Sequence, residues 1–385
     1  MSIYDANIIG TGPAGATVAR HVAAAGLNTL LLEKDTLPRV KTCGGAVSEY
    51  ALSNLDIEIP DSIIERECFG ARIRYGSCSL ESETRERLSV MVSRDRFDHH
   101  LTKIAVDAGA ELMEDVRVIS VQTDNDCAIV ETTVGTFRSK VVIGADGVNS
   151  VCAKNVRGSF TQQETSFALE AEIPASNEQI DHYIFNKGEF YFGIISNGYG
   201  WVFPKDEHFS LGIAGRGQGF SRPMDAYRDF IKMLGFDYVK PRGHFVPIGG
   251  LDRKTYSNRI LLVGDAAGYV DAFLGEGIAY AIASGNFAAE TVINAHQKDD
   301  FSETSLASYH KRCMDSFLPN LKYSYIFSKW FYRFPNLSSR ILVNNEPLLN
   351  KFIHLATGRW GYLFFMKWIA LRLPYYVIKD VIGRR

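Results

Sequence analysis

Three short, nearly continuous apolar runs each end in a glycine-rich turn: Ala6–Ile9 before Gly10, Val141–Ile143 before Gly144, and Leu261–Val263 before Gly264. Runs with no polar alternation predict strands buried on both faces, the habit of a parallel sheet covered by helices. The first run leads through Gly10–Gly15 into a helix over 16–25, then a strand over 28–32 that ends at Glu33. That is a βαβ unit, and its crossover is expected to be right-handed. A looser stretch follows from Thr36 to about Glu49, and Ser93 is placed to cap a helix beginning with Arg94. Residues 116–121 and 128–133 read as strands.

Between 166 and 215 the pattern changes to short alternating runs rich in Phe, Tyr and Ile, among them 166–170, 182–185 and 189–193. Asn197-Gly198 is a hairpin signal, so this region is expected to form an antiparallel sheet. After Gly249-Gly250 the parallel pattern returns, residues 276–295 read as one long helix, and the chain past 306 is helical and aromatic.

The turns carry the chemistry. In Gly10-x-Gly12-x-x-Gly15, the first glycine permits a tight turn, the second lets backbone approach a pyrophosphate, and the third lets helix pack on strand. The helix start then offers N–H groups to phosphate. Glu33, closing the second strand, is placed to accept from ribose hydroxyls and would repel a 2′-phosphate, which argues against NADP in this pocket. This motif alone is compatible with NAD or FAD. The second and third segments favour FAD: Asp265 at a strand end can bond a ribityl chain, and the turn Gly275–Ile278 can donate to the flavin pyrimidine edge. Asp146-Gly147 is read as a cofactor contact or as a plain turn, and Arg94 as a phosphate or ribose support or as a solvated arginine. Ala14, Lys34 and Val118 complete the candidate cofactor-binding residues drawn from this part of the chain. Gly215–Gly219 lacks the third glycine of the fingerprint and is read as a loop.

The expected fold class is therefore α/β, α+β overall: a Rossmann-like FAD-binding domain, an inserted antiparallel-sheet substrate domain and a helical C-terminal region. The expected boundaries are 1–55, 90–160 and 250–305 for the first, 56–89 and 161–249 for the second, and 306–385 for the third. No separate nicotinamide domain is visible, so electrons are expected from an external donor, either NAD(P)H visiting the flavin or a redox protein such as a ferredoxin.

Three further stretches resemble the geranylgeranyl reductase family: Lys41–Ala46, Gly198-Tyr199-Gly200-Trp201-Val202-Phe203-Pro204-Lys205, and Gly264–Gly268 through Gly275–Ile278. The Tyr-x-Trp-x-Phe-Pro string is the most specific, and the resemblance covers roughly residues 1–300. It implies reduction of carbon–carbon double bonds in geranylgeranyl chains of archaeal lipids or chlorophylls. It implies that Tyr199, Trp201, Phe203 and Pro204 line a prenyl tunnel near the flavin. Alternation puts Tyr199, Trp201 and Phe203 on one face of a strand, which suits a core or a pocket. Cys43 is read as a small buried filler or, by the family pattern, as a proton donor or gate beside the flavin with Gly44 and Gly45, with Lys41 placed to lower its pKa. Cys43 and Tyr199 are the candidate catalytic residues. The Cys-Gly-Gly-Ala string and the stretch around Gly264 are closer to the chlorophyll branch, while the C-terminal third is not, which leaves the headgroup open. A monooxygenase or halogenase of the same fold, and a non-catalytic flavin-binding lipid carrier, are the alternatives.

Composition narrows the partners. A formal net charge of -2 gives no reason to expect nucleic acid. The six cysteines show no CxxC spacing and no zinc pattern, which fits a reduced cytoplasmic protein. The chain opens directly on a strand, so no signal peptide is expected, and no apolar stretch approaches the roughly 18–20 residues that cross a bilayer. From Phe352 onward, six Lys or Arg and one acid are interleaved with aromatic residues. That pattern suits a peripheral membrane contact, a lid over a lipid tunnel or a cap on the protein's own core.

Overall fold

A computed structural model describes residues 3–217 and 220–382. The chain divides into two compact units, the first made of 1–41, 94–164 and 247–322, the second of 42–93, 165–246 and 323–385.

The first unit is built on an eight-stranded sheet. Its centre is β1 (Tyr4–Ile9), flanked in parallel by β2 (Thr29–Leu32) on one side and the strand Gly135–Gly144 on the other. The strands Ile260–Leu262 and Glu111–Met113 extend it in parallel outward. Ile8, Leu31, Ile143 and Leu261 lie in register across four strands and are fully buried. The unalternated apolar runs arise because helices cover this sheet. The helix α1 (Pro13–Ala24) packs against the long helix Ile278–Lys298. Their approach depends on Gly285, where a β-carbon would stand 2.8 Å from the Ala14 carbonyl oxygen.

The second unit holds a seven-stranded sheet in the order Arg242–Pro247, Thr165–Pro174, His208–Gly215, Gly198–Pro204, Lys187–Phe192, Gly70–Tyr75, Cys78–Glu83. Thr165–Pro174 with His208–Gly215, His208–Gly215 with Gly198–Pro204, Gly198–Pro204 with Lys187–Phe192 and Gly70–Tyr75 with Cys78–Glu83 pair antiparallel, while Lys187–Phe192 with Gly70–Tyr75 is parallel. The expected antiparallel sheet therefore holds a parallel pair, made when 70–75, far away in sequence, joins the hairpin strands. One face is a core of Leu169, Ile173, Val202, Leu211 and Ile213 packed with Tyr227, Phe230 and Ile231 of the helix Pro223–Leu234. Residues 182–185, expected as part of a strand run, instead follow or end the helix Asn177–Tyr183. Ser176 and Gln179 close a reciprocal capping box at its start.

The boundaries differ from expectation in several places, with 161–164 and 247–249 falling in the first unit. Residues 42–55 and 90–93 belong to the second unit, because Ala46–Ser48 pairs with Ser89–Val92, which pairs with Ile64–Cys68. The C-terminal helices do not form a unit of their own: 306–322 goes with the first unit and 323–382 with the second. In the latter, Phe327 holds Tyr362 and Phe365 at ring distances of 5.7 and 5.5 Å. Gln218 and Gly219 of the glycine loop, and Gly383–Arg385 of the tail, lie outside the described residues.

Candidate functional site

In the first unit the fingerprint glycines differ in what surrounds them. Gly10 has φ +102°, and a β-carbon there would stand 2.5 Å from the Ala145 carbonyl oxygen. A β-carbon on Gly15 would strike the Gly10 carbonyl, so both positions are closed to side chains by backbone. Gly12 is the opposite case: nothing lies within 4 Å of its missing β-carbon. The space over Gly12, at a helix start with Pro13 in its first turn and no side-chain cap, is a cradle shaped for a phosphate-bearing group.

Glu33 sits at the end of β2, nearly buried. Its Oε2 accepts from the Thr11 N–H at 3.1 Å and from the Thr11 hydroxyl, and the Arg39 Nε lies 3.2 Å away. Its Oε1 accepts from the Asp35 N–H at 3.2 Å. Burial alone would raise the Glu33 carboxyl, but the Arg39 guanidinium and the Thr11 donors outweigh it and hold it below its ordinary value. The carboxylate is therefore ionised and oriented, as a ribose-binding acid must be.

Arg39 also pairs with the buried Asp98 at 3.1 Å, and Asp98 receives Arg94 in a bidentate pair at 2.8 and 2.9 Å. Arg94 is thus neither solvated nor isolated: its side chain is 9% exposed and clamped to the next turn of its own helix. Thr11, Arg39 and Asp98 were not singled out by the sequence reading. The spacing of Arg94 and Asp98, four apart on one helix, was the available signal. Arg39 lies in the loop that showed no periodic pattern. Lys34 is exposed beside Asp35. Val118 is buried and opens a strand just after Val116, whose N–H donates to the Glu33 carbonyl.

Asp146 accepts from the N–H groups of Val151 and Cys152 at 2.7 and 3.3 Å, so it organises the turn after the strand Gly135–Gly144. Its Oδ1 is buried without a hydrogen-bond partner, and burial raises its carboxyl. Asp265 lies in the first turn of the short helix Gly264–Ala267, with Oδ1 3.5 Å from the place of a β-carbon on Gly277. Gly275 has φ +73°, and the helix starting at Ile278 carries no side-chain cap. Gly264, Asp265, Gly275, Gly277 and Ile278 therefore cluster at the carboxyl end of one parallel strand, where open α/β sheets bind ligands. An open glycine cradle, an ionised acid at the second strand end, an orphaned Asp146 oxygen and an uncapped helix start fit FAD.

In the second unit, Tyr199, Trp201 and Phe203 line one face of their strand with ring centroids 6.2 Å apart at each step. Phe190 on the next strand meets Tyr199 at 6.0 Å and Phe203 at 5.4 Å. Pro204, expected to line the same wall, is buried at the alternate position, in register with Phe209 of the aliphatic core, so it falls on the other face. The face opposite carries the aliphatic core, so the aromatic face is a separate surface. The Cys43–Gly45 loop lies on it: a β-carbon on Gly44 would stand 2.9 Å from the Phe203 ring and 3.2 Å from Trp201 Nε1. Cys43 is half-buried, and its Sγ accepts from the Gly45 N–H at 3.4 Å. Two motifs about 150 residues apart in sequence thus meet on one surface. The cation buried beneath Gly45 is Lys205, which donates to the Val92 carbonyl and lies 3.6 Å from Glu65.

Residues 4–198 match the family described as FAD binding domain. The digeranylgeranylglycerophospholipid reductase of Thermoplasma volcanium is 32% identical over 354 residues, spanning 82% of this chain and 85% of the relative. A geranylgeranyl bacteriochlorophyll reductase-like protein from Thermoplasma acidophilum superposes with a TM-score of 0.79 at 24% identity, covering 100% of this chain and 99% of that one. A single-substitution mutant of the halogenase PltM, solved with FAD, shares the fold at a TM-score of 0.70 and 17% identity, covering 94% of this chain and 85% of that one. The chain belongs to the geranylgeranyl reductase family of FAD-dependent oxidoreductases that act on carbon–carbon double bonds.

Proposed function

We propose that this protein saturates the double bonds of geranylgeranyl chains carried on an ether-type glycerophospholipid. The observation that carries the reading is the continuous aromatic face of Tyr199, Trp201, Phe203 and Phe190, with the Cys43–Gly45 loop laid over it. Flat rings bind a hydrocarbon chain without asking it for hydrogen bonds. The glycerophospholipid is favoured over a chlorophyll by the named relatives of about one-third identity, which are digeranylgeranylglycerophospholipid reductases.

Bound FAD, once reduced, would supply a hydride, that is, a proton carrying two electrons. The glycine cradle, Glu33 and the 264–278 cluster hold that cofactor. Saturating an alkene also needs a proton at the second carbon. Cys43, Tyr199 and a trapped water are the sources this chain offers. An isolated alkene accepts hydride poorly, so the aromatic face must fix its orientation and exclude water. The reducing equivalents come from an external donor, a nicotinamide or a redox protein.

The exposed face of the last helices supplies a membrane contact. Leu371, Tyr375 and Ile378 are 82%, 64% and 57% exposed, and Lys367, Arg372 and Lys379 flank them. No helix among the described residues is long and apolar enough to cross a membrane, so this contact is peripheral.

The deciding experiment mixes dithionite-reduced holoprotein with a geranylgeranyl glycerophospholipid without oxygen. Flavin reoxidation with a mass gain of one hydrogen pair per bond reduced is expected. A flavin that stays reduced and an unchanged lipid mass would reject the reading. A hydroxylated or halogenated product in air, with no saturated lipid, would replace it with oxygen chemistry.

A further inference from the structure

One buried acid stands against the aromatic face and has no part in the account above. Glu170, Gly212 and Trp201 lie in one transverse row on three adjacent strands. Gly212 has no side chain, and the six-membered ring of the indole lies across it: a β-carbon there would stand 2.5 Å from Trp201 Cη2. The indole N–H donates to Ser210 Oγ at 3.4 Å, and the Ser210 hydroxyl donates to Glu170 Oε1 at 3.1 Å. Ser210 is 1% and Glu170 7% exposed. The same indole nitrogen borders Gly44, so the line of hydrogen bonds runs from a buried carboxyl to the edge of the Cys43–Gly45 loop.

We propose that Glu170 is a positioning residue for the prenyl site: its charge state, passed through Ser210, sets how firmly the Trp201 indole is held and so how tightly a prenyl chain binds. This rests on reading the aromatic face as the prenyl wall. As a carboxylate, Glu170 only accepts, so the Ser210 hydroxyl must point to it and the Ser210 oxygen is left for the indole N–H. Charge assistance makes the Ser210–Glu170 bond roughly twice as strong as a neutral one, and the polarised Ser210 oxygen is the better acceptor for the indole. As a carboxylic acid, Glu170 can donate to the Ser210 oxygen instead. It then competes with the indole and frees the Ser210 hydrogen.

The groups around Glu170 allow both states near neutrality. Burial pushes its carboxyl up to about 7. The Ser210 hydroxyl, Lys205 and Arg242 pull downward, and Glu172 on the same strand pushes further up. Tyr227, from the helix on the other face of the sheet, also feels its charge. Lys205 is itself buried and shared with Glu65, Cys43 and Glu172, so its charge does not belong to Glu170 alone.

The test uses holoprotein and tryptophan emission, with the Trp201→Phe variant subtracted to remove Trp330, Trp360 and Trp368. The difference signal should titrate with a midpoint near 7. It should be flat in Glu170→Gln, which fixes the neutral state, and flat in Ser210→Ala, which cuts the line in the middle. Affinity for geranylgeraniol should improve about tenfold from the acid to the alkaline side in the unaltered protein, about 1.4 kcal/mol. It should be independent of pH in both variants. A flat difference signal in the unaltered protein overturns the proposal whether or not Glu170→Gln and Ser210→Ala fold. So does an undiminished titration in Glu170→Gln. An indole that titrates while geranylgeraniol fails to bind at any pH would overturn the reading of the wall, and leave the link between Glu170 and Trp201 standing.

Discussion

Adding one methyl group at Gly212 is the sharpest way to ask whether the indole's position matters. Gly212 has an ordinary extended backbone, so alanine meets no φ penalty there and regains roughly 0.5–1 kcal/mol lost by glycine in a strand. Its β-carbon, however, would lie 2.5 Å from Trp201 Cη2 and 2.6 Å from the Leu169 carbonyl oxygen. Carbon atoms rest at about 3.5–4.0 Å, so the indole must retreat by about 1 Å, and the Leu169 strand must shift with it. Overpacking of this kind costs about 1–3 kcal/mol of stability. The protein should therefore still fold. Flavin content should be unchanged, because the dinucleotide glycines lie in the other unit. A misplacement of about 1 Å at a positioning surface lowers the rate of the chemical step by about 100-fold. The assay is the single-turnover reoxidation of reduced flavin by geranylgeranyl lipid, followed anaerobically by stopped flow. An unchanged rate at saturating lipid, with normal flavin content, would refute the claim that the Trp201 ring guides the substrate.

Four other outcomes are expected. Gly12→Val places a side chain in the open space above the α1 start, so the purified protein should be folded but colourless; retention of flavin absorbance would show that the cradle lies elsewhere. Glu33→Gln removes the ionised acceptor and should weaken FAD binding by about 10- to 100-fold, from roughly 1.5–3 kcal/mol for a charged hydrogen bond, as read by flavin titration of the apoprotein. Because the folded Glu33 carboxyl sits below its ordinary value, its stabilisation is complete above the usual carboxylate range and is lost as pH falls through the folded value; the urea midpoint of Glu33→Gln should fall less on acidification than that of the unaltered protein. Replacing the exposed Leu371 and Ile378 by Glu should abolish co-sedimentation with anionic vesicles, since each buried apolar side chain contributes about 1.5–3 kcal/mol, and undiminished co-sedimentation would remove the membrane contact.

The parallel half of the fold was legible because its physics is local. A strand covered on both faces must be apolar throughout, and a glycine whose β-carbon would meet backbone has no substitute. Gly10 and Gly15 announce themselves for that reason. The same holds for the row Tyr199, Trp201 and Phe203, where a period of two places the rings on one face whatever surrounds them. What periodicity could not decide was which surface that face would meet. Only the pairing of Gly198–Pro204 with the strands on either side separates it from the aliphatic core beneath. The helix Asn177–Tyr183 shows the converse: aromatic residues at its end imitated a strand, while the deciding signal was the Ser176 and Gln179 cap.

The polar residues that order each site were hidden for a different reason. Arg39 has no pattern in its own segment and gains its role from Glu33, six residues before it, and Asp98, 59 residues after it. Glu170 alternates with apolar neighbours as any solvent-facing strand residue would, and only the return of the chain at Ser210 and Trp201 buries it. A charged residue at a strand's polar positions reads as exposed by default. Its burial depends on what a distant segment lays over it, and an unpaired carboxylate there would be strongly unfavourable. The Ser210 hydroxyl and the neutral form open to Glu170 near pH 7 together remove that penalty. A group kept this close to its own midpoint is sensitive to whatever covers it. A chain that binds better when ionised Glu170 holds the indole must, in return, draw that carboxyl downward. Substrate binding should therefore be accompanied by proton release near neutral pH, the reciprocal of a proton's weakening of binding. Release measured with a pH dye on adding geranylgeraniol, and its absence in Glu170→Gln, would establish the coupling from the ligand's side. Binding without proton release would show that seating the chain does not act on Glu170.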